Sequence, residues 1–185
     1  MGLRNTSAQY GSLAKWLHWL VAILVVYLIY LGLQQSDMES GGERAAVRAL
    51  HASVALLVLS LMLIRLIWRL LNESPAHPDG IPAWQRGAAT LVHWGLYGAV
   101  FVQLTAGAMI VATDGKPVPF FGLFSLPLPV AEDHDAHELW EEVHEVMWSV
   151  IALLVAVHVL GALYNHFVLK NDVLRCMTHG VKKDH

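Results

Sequence analysis

Cysteine occurs once in this chain, at Cys176. That excludes a disulfide framework, a zinc-thiolate centre and an iron-sulfur cluster, each of which needs several. Charge is scarce too, with Asp, Glu, Lys and Arg together only 15% of 185 residues. The twelve basic residues do not balance the fifteen acidic ones, and a formal charge of -3 excludes a broadly basic nucleic-acid binder. In place of charge the chain has apolar surface, 56% hydrophobic residues with a mean hydropathy of +0.48, too much for an ordinary water-soluble domain. It also has eleven histidines. In so apolar a chain, every imidazole that enters hydrocarbon needs a partner.

About 20 helical residues cross a bilayer, and four stretches qualify: 13–33, 47–70, 87–112 and 143–169. A cleaved leader in place of the first would have a shorter apolar region running into a small-residue cleavage site. Spans of this kind must be helical, because lipid offers an open backbone no hydrogen-bond partner. The connectors around 74–82 and 116–129 are dense in Pro and Gly and read as loops. The expected fold class is therefore all-α, a membrane-spanning four-helix bundle forming one domain over residues 1–185. Arg4, Lys15, Arg65, Arg69, Arg86, Lys170, Arg175, Lys182 and Lys183 fall on one side of the spans, and only Arg44, Arg48 and Lys116 on the other. By the positive-inside bias both termini are expected in the cytoplasm. Acidic residues run the opposite way, Asp37, Glu39, Glu43, Asp114 and seven more between Glu132 and Glu145 lying outside.

Depth sorts the histidines. With helix one running outward, His18 lies about 7 Å inside the inner boundary, and His51, near the start of an inward-running helix two, lies near the outer one. His144 and His158 on helix four are fourteen residues apart (158 − 144 = 14), almost four turns, so they share one face about 21 Å apart. Two stacked levels result, each with two imidazoles. Such pairs inside a four-helix bundle suit the two axial positions of a haem iron, which then carries electrons and has no open position for oxygen. A structural zinc would want four ligands at one level. Glu141 and His144 match half of a di-iron motif, but the second motif and the further core glutamates are missing. Arg44, Arg48 and His51 form one stripe, and Arg65 lies fourteen residues past His51 on the same face (65 − 51 = 14). Arg48 and Arg65 are therefore candidates to bind haem propionates, whereas Arg69 reads as a helix-end anchor in headgroups. Gly95, Gly98 and Gly107 on helix three could admit a flat macrocycle or serve plain helix packing.

These residues resemble the bacterial cytochrome b561 family of di-haem, four-helix inner-membrane proteins, related to the cytochrome b subunits of some hydrogenases and formate dehydrogenases. The segments that carry the resemblance are Lys15-Trp-Leu-His18-Trp, Leu50-His51 with Ile64-Arg65-Leu, Val143-His144-Glu145, Val157-His158, and the tail from Asn165-His166 to Asp172. The resemblance spans essentially the whole chain. It implies two haem b groups, the inner one held by His18 and His158 and the outer one by His51 and His144. His166 rivals His158 by depth, but it lies about 33 Å from His144, almost the whole hydrocarbon thickness, which leaves too little room for two cofactors. His93, at the inner level, is a candidate quinone contact, the alternative being a packed or backbone-bonded histidine. His77, His179 and His185 read as solvated, and His134 and His137 as part of a wet acidic helix face rather than a metal site.

Stand-alone members of this family look like superoxide oxidases that pass the electron to ubiquinone, and the short tail after helix four points that way. The acidic outer rim opposes an approaching anion unless Arg44, Arg48 and Lys116 form a local positive funnel. The alternative is an electron-transfer module that docks a basic dehydrogenase or soluble cytochrome on the acidic stretch 132–145. A blander one is a structural bundle with incidental histidines. Cys176 reads as a reduced cytoplasmic thiol.

Overall fold

Leu, Val, Ile and Ala runs broken only at Gly, Pro and polar clusters fold as four long helices: α1 (Ser12–Ser36), α2 (Gly42–Leu71), α3 (Ala83–Thr113) and α4 (His134–Phe167). Each is long and apolar enough to cross a membrane. The structure is a computed structural model that describes residues 2–7, 9–76 and 80–178. His77, His179, Lys182, Lys183 and His185 lie outside the described residues. Pro82, which cannot continue a helix backwards as a donor, stands at the start of α3. Asp133 caps α4, its carboxylate accepting from the Ala136 N–H at 3.0 Å. That cap, followed by an acidic first turn at Asp135, favours the positive helix end. Helix four therefore begins nine residues before the expected start (143 − 134 = 9), and its acidic segment extends about 13 Å beyond the apolar span.

The interior is a seam of Val21 and Leu31 from α1, Val54, Val58 and Met62 from α2, Tyr97, Val100 and Leu104 from α3, and Ile151 from α4. Facing outward are large apolar side chains such as Ile23, Leu63, Leu91, Leu153 and Leu160, which belong against acyl chains. Since lipid is as apolar as leucine, close fit holds the helices together. Gly95 illustrates this, because a Cβ there would already touch Leu154 at 3.5 Å. α1 packs along α2 and α3 along α4, with a slighter α2–α3 seam.

Both described ends of the chain meet at one end of the bundle. The short helix α5 (Val173–Met177) is strapped to α1 where Trp19 Nε1 donates to the Met177 carbonyl at 2.9 Å and the buried Lys15 Nζ to the Thr178 carbonyl at 3.4 Å. A cation beside the last carbonyls of a helix is favourable. A buried network of Asn165 with the Gly161 carbonyl and Asn171 closes the turn after α4. We call this the terminal end.

The opposite end departs from the expected loop. Val118–Phe120 (β1) and Phe124–Leu126 (β2) pair as an antiparallel hairpin, Val118 opposite Leu126 and Phe120 opposite Phe124. The proline signal hid a β-branched and aromatic run around a Phe121-Gly122 turn. Both turn residues have positive φ, 49° and 72°, and the Leu123 N–H donates back to the Phe120 carbonyl at 2.9 Å, the handedness that suits a tight hairpin. Phe120 and Phe124 stack at 4.8 Å. Ser53 of α2 pins the hairpin: its Oγ accepts from the Phe121 N–H at 2.9 Å and donates to the carbonyl of Ala49 or Pro119, at 2.7 and 3.1 Å. Ser53→Ala leaves those hairpin groups without their partner, and it is expected to destabilise the bundle by about 1–3 kcal/mol. A lower midpoint of SDS denaturation would register it.

Candidate functional site

Four helices each bring one polar side chain to a cluster near the terminal end. His18 of α1 and His158 of α4 face each other with ring centroids 6.1 Å apart and planes crossed at 72°. His93 of α3 lies 5.2 Å from His158, and Arg65 of α2 donates from Nη2 to His18 Nδ1 at 2.9 Å. Near the hairpin end the construction repeats. His51 of α2 and His144 of α4 stand 6.3 Å apart at 62°. Gln103 of α3 contacts His144 Nε2 through its amide nitrogen at 3.0 Å. Glycines floor both rings: a Cβ on Gly32 of α1 would meet His51 at 3.7 Å, and one on Gly107 of α3 would meet His144 Nε2 at 3.4 Å.

This donor set fits a bis-imidazole metal centre at each level. Imidazole nitrogens bind a first-row metal at about 2.0 Å, so two rings on opposite sides of one ion have centroids about 6 Å apart by the same geometry. Both observed separations have that value. Among the described residues no group of three His, Cys, Asp or Glu side chains is placed to hold a metal ion. Buried without hydrogen-bond partners among the described residues are Gln103 Oε1, Tyr97 OH and Trp68 Nε1. Gln103 Oε1 borders the hairpin-end pair and remains an unused acceptor there. Arg65 gives a further indication. A neutral imidazole that binds a metal through Nε2 keeps its proton on Nδ1 and cannot accept from a guanidinium. Arg65 would then be released toward another acceptor, and a haem carboxylate is the kind it prefers.

The other expected site residues divide. Arg48 and Arg44 are exposed at the hairpin end. The Asp114 carboxyl lies below the usual carboxylate range, chiefly through its hydrogen bond from Lys116, with Arg48 a minor contributor. Lys116 is thus spent on an ion pair with Asp114. His166 contacts Phe167 at 4.8 Å, while His18 pairs with His158. Arg69, expected as a headgroup anchor, lies partly exposed near the end of α2, over Trp94 and Tyr97 at 5.1 and 5.5 Å from the ring centroids. Arg65 covers the Tyr97 ring at 5.4 Å, so two guanidinium groups rest against aromatic faces between α2 and α3, where the ring quadrupole attracts them. His137 is not wet: it is half-buried, its Nδ1 3.0 Å from the Ile110 carbonyl and its Nε2 3.3 Å from Glu141, so it ties α4 to the last turn of α3. His134 does stay exposed beside Glu138. Burial pushes the Cys176 thiol and the Tyr10 phenol above their ordinary values.

Sequence reasoning missed Gln103. Its signal was present, since it lies four residues before Gly107 on one face of a span that carries no charge. The Tyr97–Arg65–Arg69 stack had no comparable signal in one dimension.

Known proteins match this chain along nearly its whole length. The family model for prokaryotic cytochrome b561 matches residues 9–180. "Cytochrome b561 homolog 2" of Escherichia coli (strain K12) is 32% identical over 179 residues, 96% of this chain and 95% of its own. "Cytochrome b561 homolog 1" of the same strain is 29% identical over 91% of this chain and 97% of its own. "Probable superoxide oxidase CybB" of Yersinia pestis is 25% identical over 91% and 96%. Gly107→Ala sets a methyl 3.4 Å from His144 Nε2, whereas the same change at Gly98 meets nothing within 4 Å. The first is expected to alter the absorption and content of bound haem, the second to leave both unchanged, as pyridine haemochrome spectra of the purified proteins would tell.

Proposed function

Given that this chain belongs to the prokaryotic cytochrome b561 family, and so is a multi-pass membrane electron-transfer protein of a haem b family, we propose that it oxidises superoxide and reduces ubiquinone. It holds two haems b, one between His18 and His158 and one between His51 and His144. The observation that carries this reading is the pair of imidazole couples, 6.1 and 6.3 Å between centroids, strung fourteen residues apart on α4. Bound haem supplies a one-electron site at each level. In the net reaction two superoxide anions become two dioxygen molecules, and the two electrons with two protons convert ubiquinone to ubiquinol.

The chain's own residues divide the work. The four imidazoles hold the two irons. Arg65 answers a propionate at the terminal end, and exposed Arg48 does so at the hairpin end. His93, beside His158, is a hydrogen-bonding group for quinone. The nine-to-three distribution of basic residues favours a cytoplasmic terminal end and a periplasmic hairpin end in the bacterial inner membrane. Superoxide therefore arrives over the hairpin end, as suits the relative named a probable superoxide oxidase.

With Lys116 paired to Asp114, the positive funnel reduces to Arg44 and Arg48 beneath an acidic rim. Raising salt is therefore expected to leave the rate of superoxide-driven haem reduction unchanged or to increase it, because the screened field is net repulsive. Absence of any such reduction would remove superoxide from the reading. His158→Ala is expected to halve haem stoichiometry and His166→Ala to preserve it, read by haemochrome assay against protein concentration.

One observation favours a second reading. The segment of α4 before its span is helical with Glu138, Glu141 and Glu142 exposed, and exposed Glu145 continues it at the span's edge, a surface suited to a basic redox partner. A dehydrogenase or cytochrome that copurifies, and without which quinone is not reduced, would select that reading.

A further inference from the structure

The connection 114–133 has both feet at one place, since the Asp133 N–H donates to the Thr113 carbonyl at 3.1 Å. Its middle part could rise into water or turn back along the bundle, and Ser53 decides. The Phe121 N–H bonds Ser53 Oγ at 2.9 Å, and Ser53 lies two residues deeper into α2 than His51. Counted from the start of the apolar span at residue 47, that is six residues (53 − 47 = 6), or about 9 Å below the membrane boundary. Gly107, beneath His144, lies five residues from the other end of its span (112 − 107 = 5), about 7.5 Å down. The turn of the hairpin thus reaches the level of the imidazole pair instead of standing above it.

Composition agrees with that depth. Residues 117–131 carry no charged side chain. One side of the hairpin packs on α2 through Val118, which is 4% exposed, while Phe121, Leu123 and Phe124 are 45, 78 and 53% exposed. At this depth they continue the belt of outward apolar residues on the helices. The usual objection is unpaired backbone in lipid. Here it is weak, because Pro117, Pro119, Pro127 and Pro129 have no N–H, Ser53 accepts from the Phe121 N–H and shares its one hydrogen between the Ala49 and Pro119 carbonyls, and the two strands serve each other. Apolar elements lying in an interface bury about 5–10 Å, the range found here.

We infer that the 118–126 hairpin is a re-entrant element whose Phe121–Phe124 tip inserts among the phospholipid acyl chains of the leaflet at that end. The inference does not depend on the electron donor, the acceptor or the number of haems. It is tested in Cys176→Ser protein carrying Leu123→Cys or, separately, Phe124→Cys, in nanodiscs of phosphatidylcholine and phosphatidylglycerol open to reagent on both faces. Modification by a charged, membrane-impermeant maleimide is timed against two references, Glu132→Cys in water and lipid-facing Leu153→Cys. Only preparations that retain the parental haem absorption are compared. The expected result is reaction of both tip thiols at least tenfold slower than Glu132→Cys, nearer on a logarithmic scale to Leu153→Cys. Rates nearer to Glu132→Cys would overturn the inference and leave a hairpin projecting into water, available to a protein partner.

Discussion

An imidazole in hydrocarbon must be answered from another helix at its own depth, or its insertion costs several kcal/mol. α4 poses that demand twice, at His144 and His158, and the replies come from different helices, His51 on α2 and His18 on α1. Because the two questions lie on one face of one helix, both answering helices must flank that face. α3 closes the bundle from the remaining side and adds a polar group to each level, Gln103 above and His93 below. Reversing the order of two helices would strand one histidine, so the arrangement is set by pairing as much as by packing.

The two levels are built from different materials. At the hairpin end the surroundings are small, Gly32 and Gly107 beneath the rings, with one amide in contact. At the terminal end they are large and cationic, Arg65 and Arg69 resting on Tyr97 and Trp94, with α5 strapped over α1 by Lys15 and Trp19. Two buried or half-buried guanidiniums that meet no carboxylate among the described residues are costly. Aromatic faces offset part of the cost, and the His18 contact a further part.

Much of this was legible before any coordinates. The spans announce themselves by length, and the pairing of His158 rather than His166 with His18 follows from the room two levels need between His144 and its partner on the same helix. Where reading along the chain fell short, the deciding term was local or three-dimensional. Proline density around 116–129 masked a strand pattern that Ser53, 66 residues from Pro119, completes. The acidic stretch before residue 143 reads as a wet helix face, and the Asp133 cap fixes where that helix begins, but the burial of His137 against Ile110 depends on how α3 and α4 pack. Gln103 carried its own signal, whereas the stack of Arg69 on Trp94 depends on how α2 and α3 cross, which no spacing encodes.

The difference between the two ends bears on direction. A fixed positive charge lowers the energy of an added electron, and the effect is large where water is excluded. Arg65, half-buried at 2.9 Å from His18, stands at the terminal level. The hairpin level has instead Glu141 and Glu145, each within three residues of His144 on the same helix, a lysine paired with Asp114, and Arg44 and Arg48, which are exposed and therefore screened by water. The chain's own field therefore slopes from the hairpin end toward the terminal end, the direction proposed for electrons taken from superoxide. A propionate paired with Arg65 would reduce that slope without inverting it, since the acids beside His144 remain.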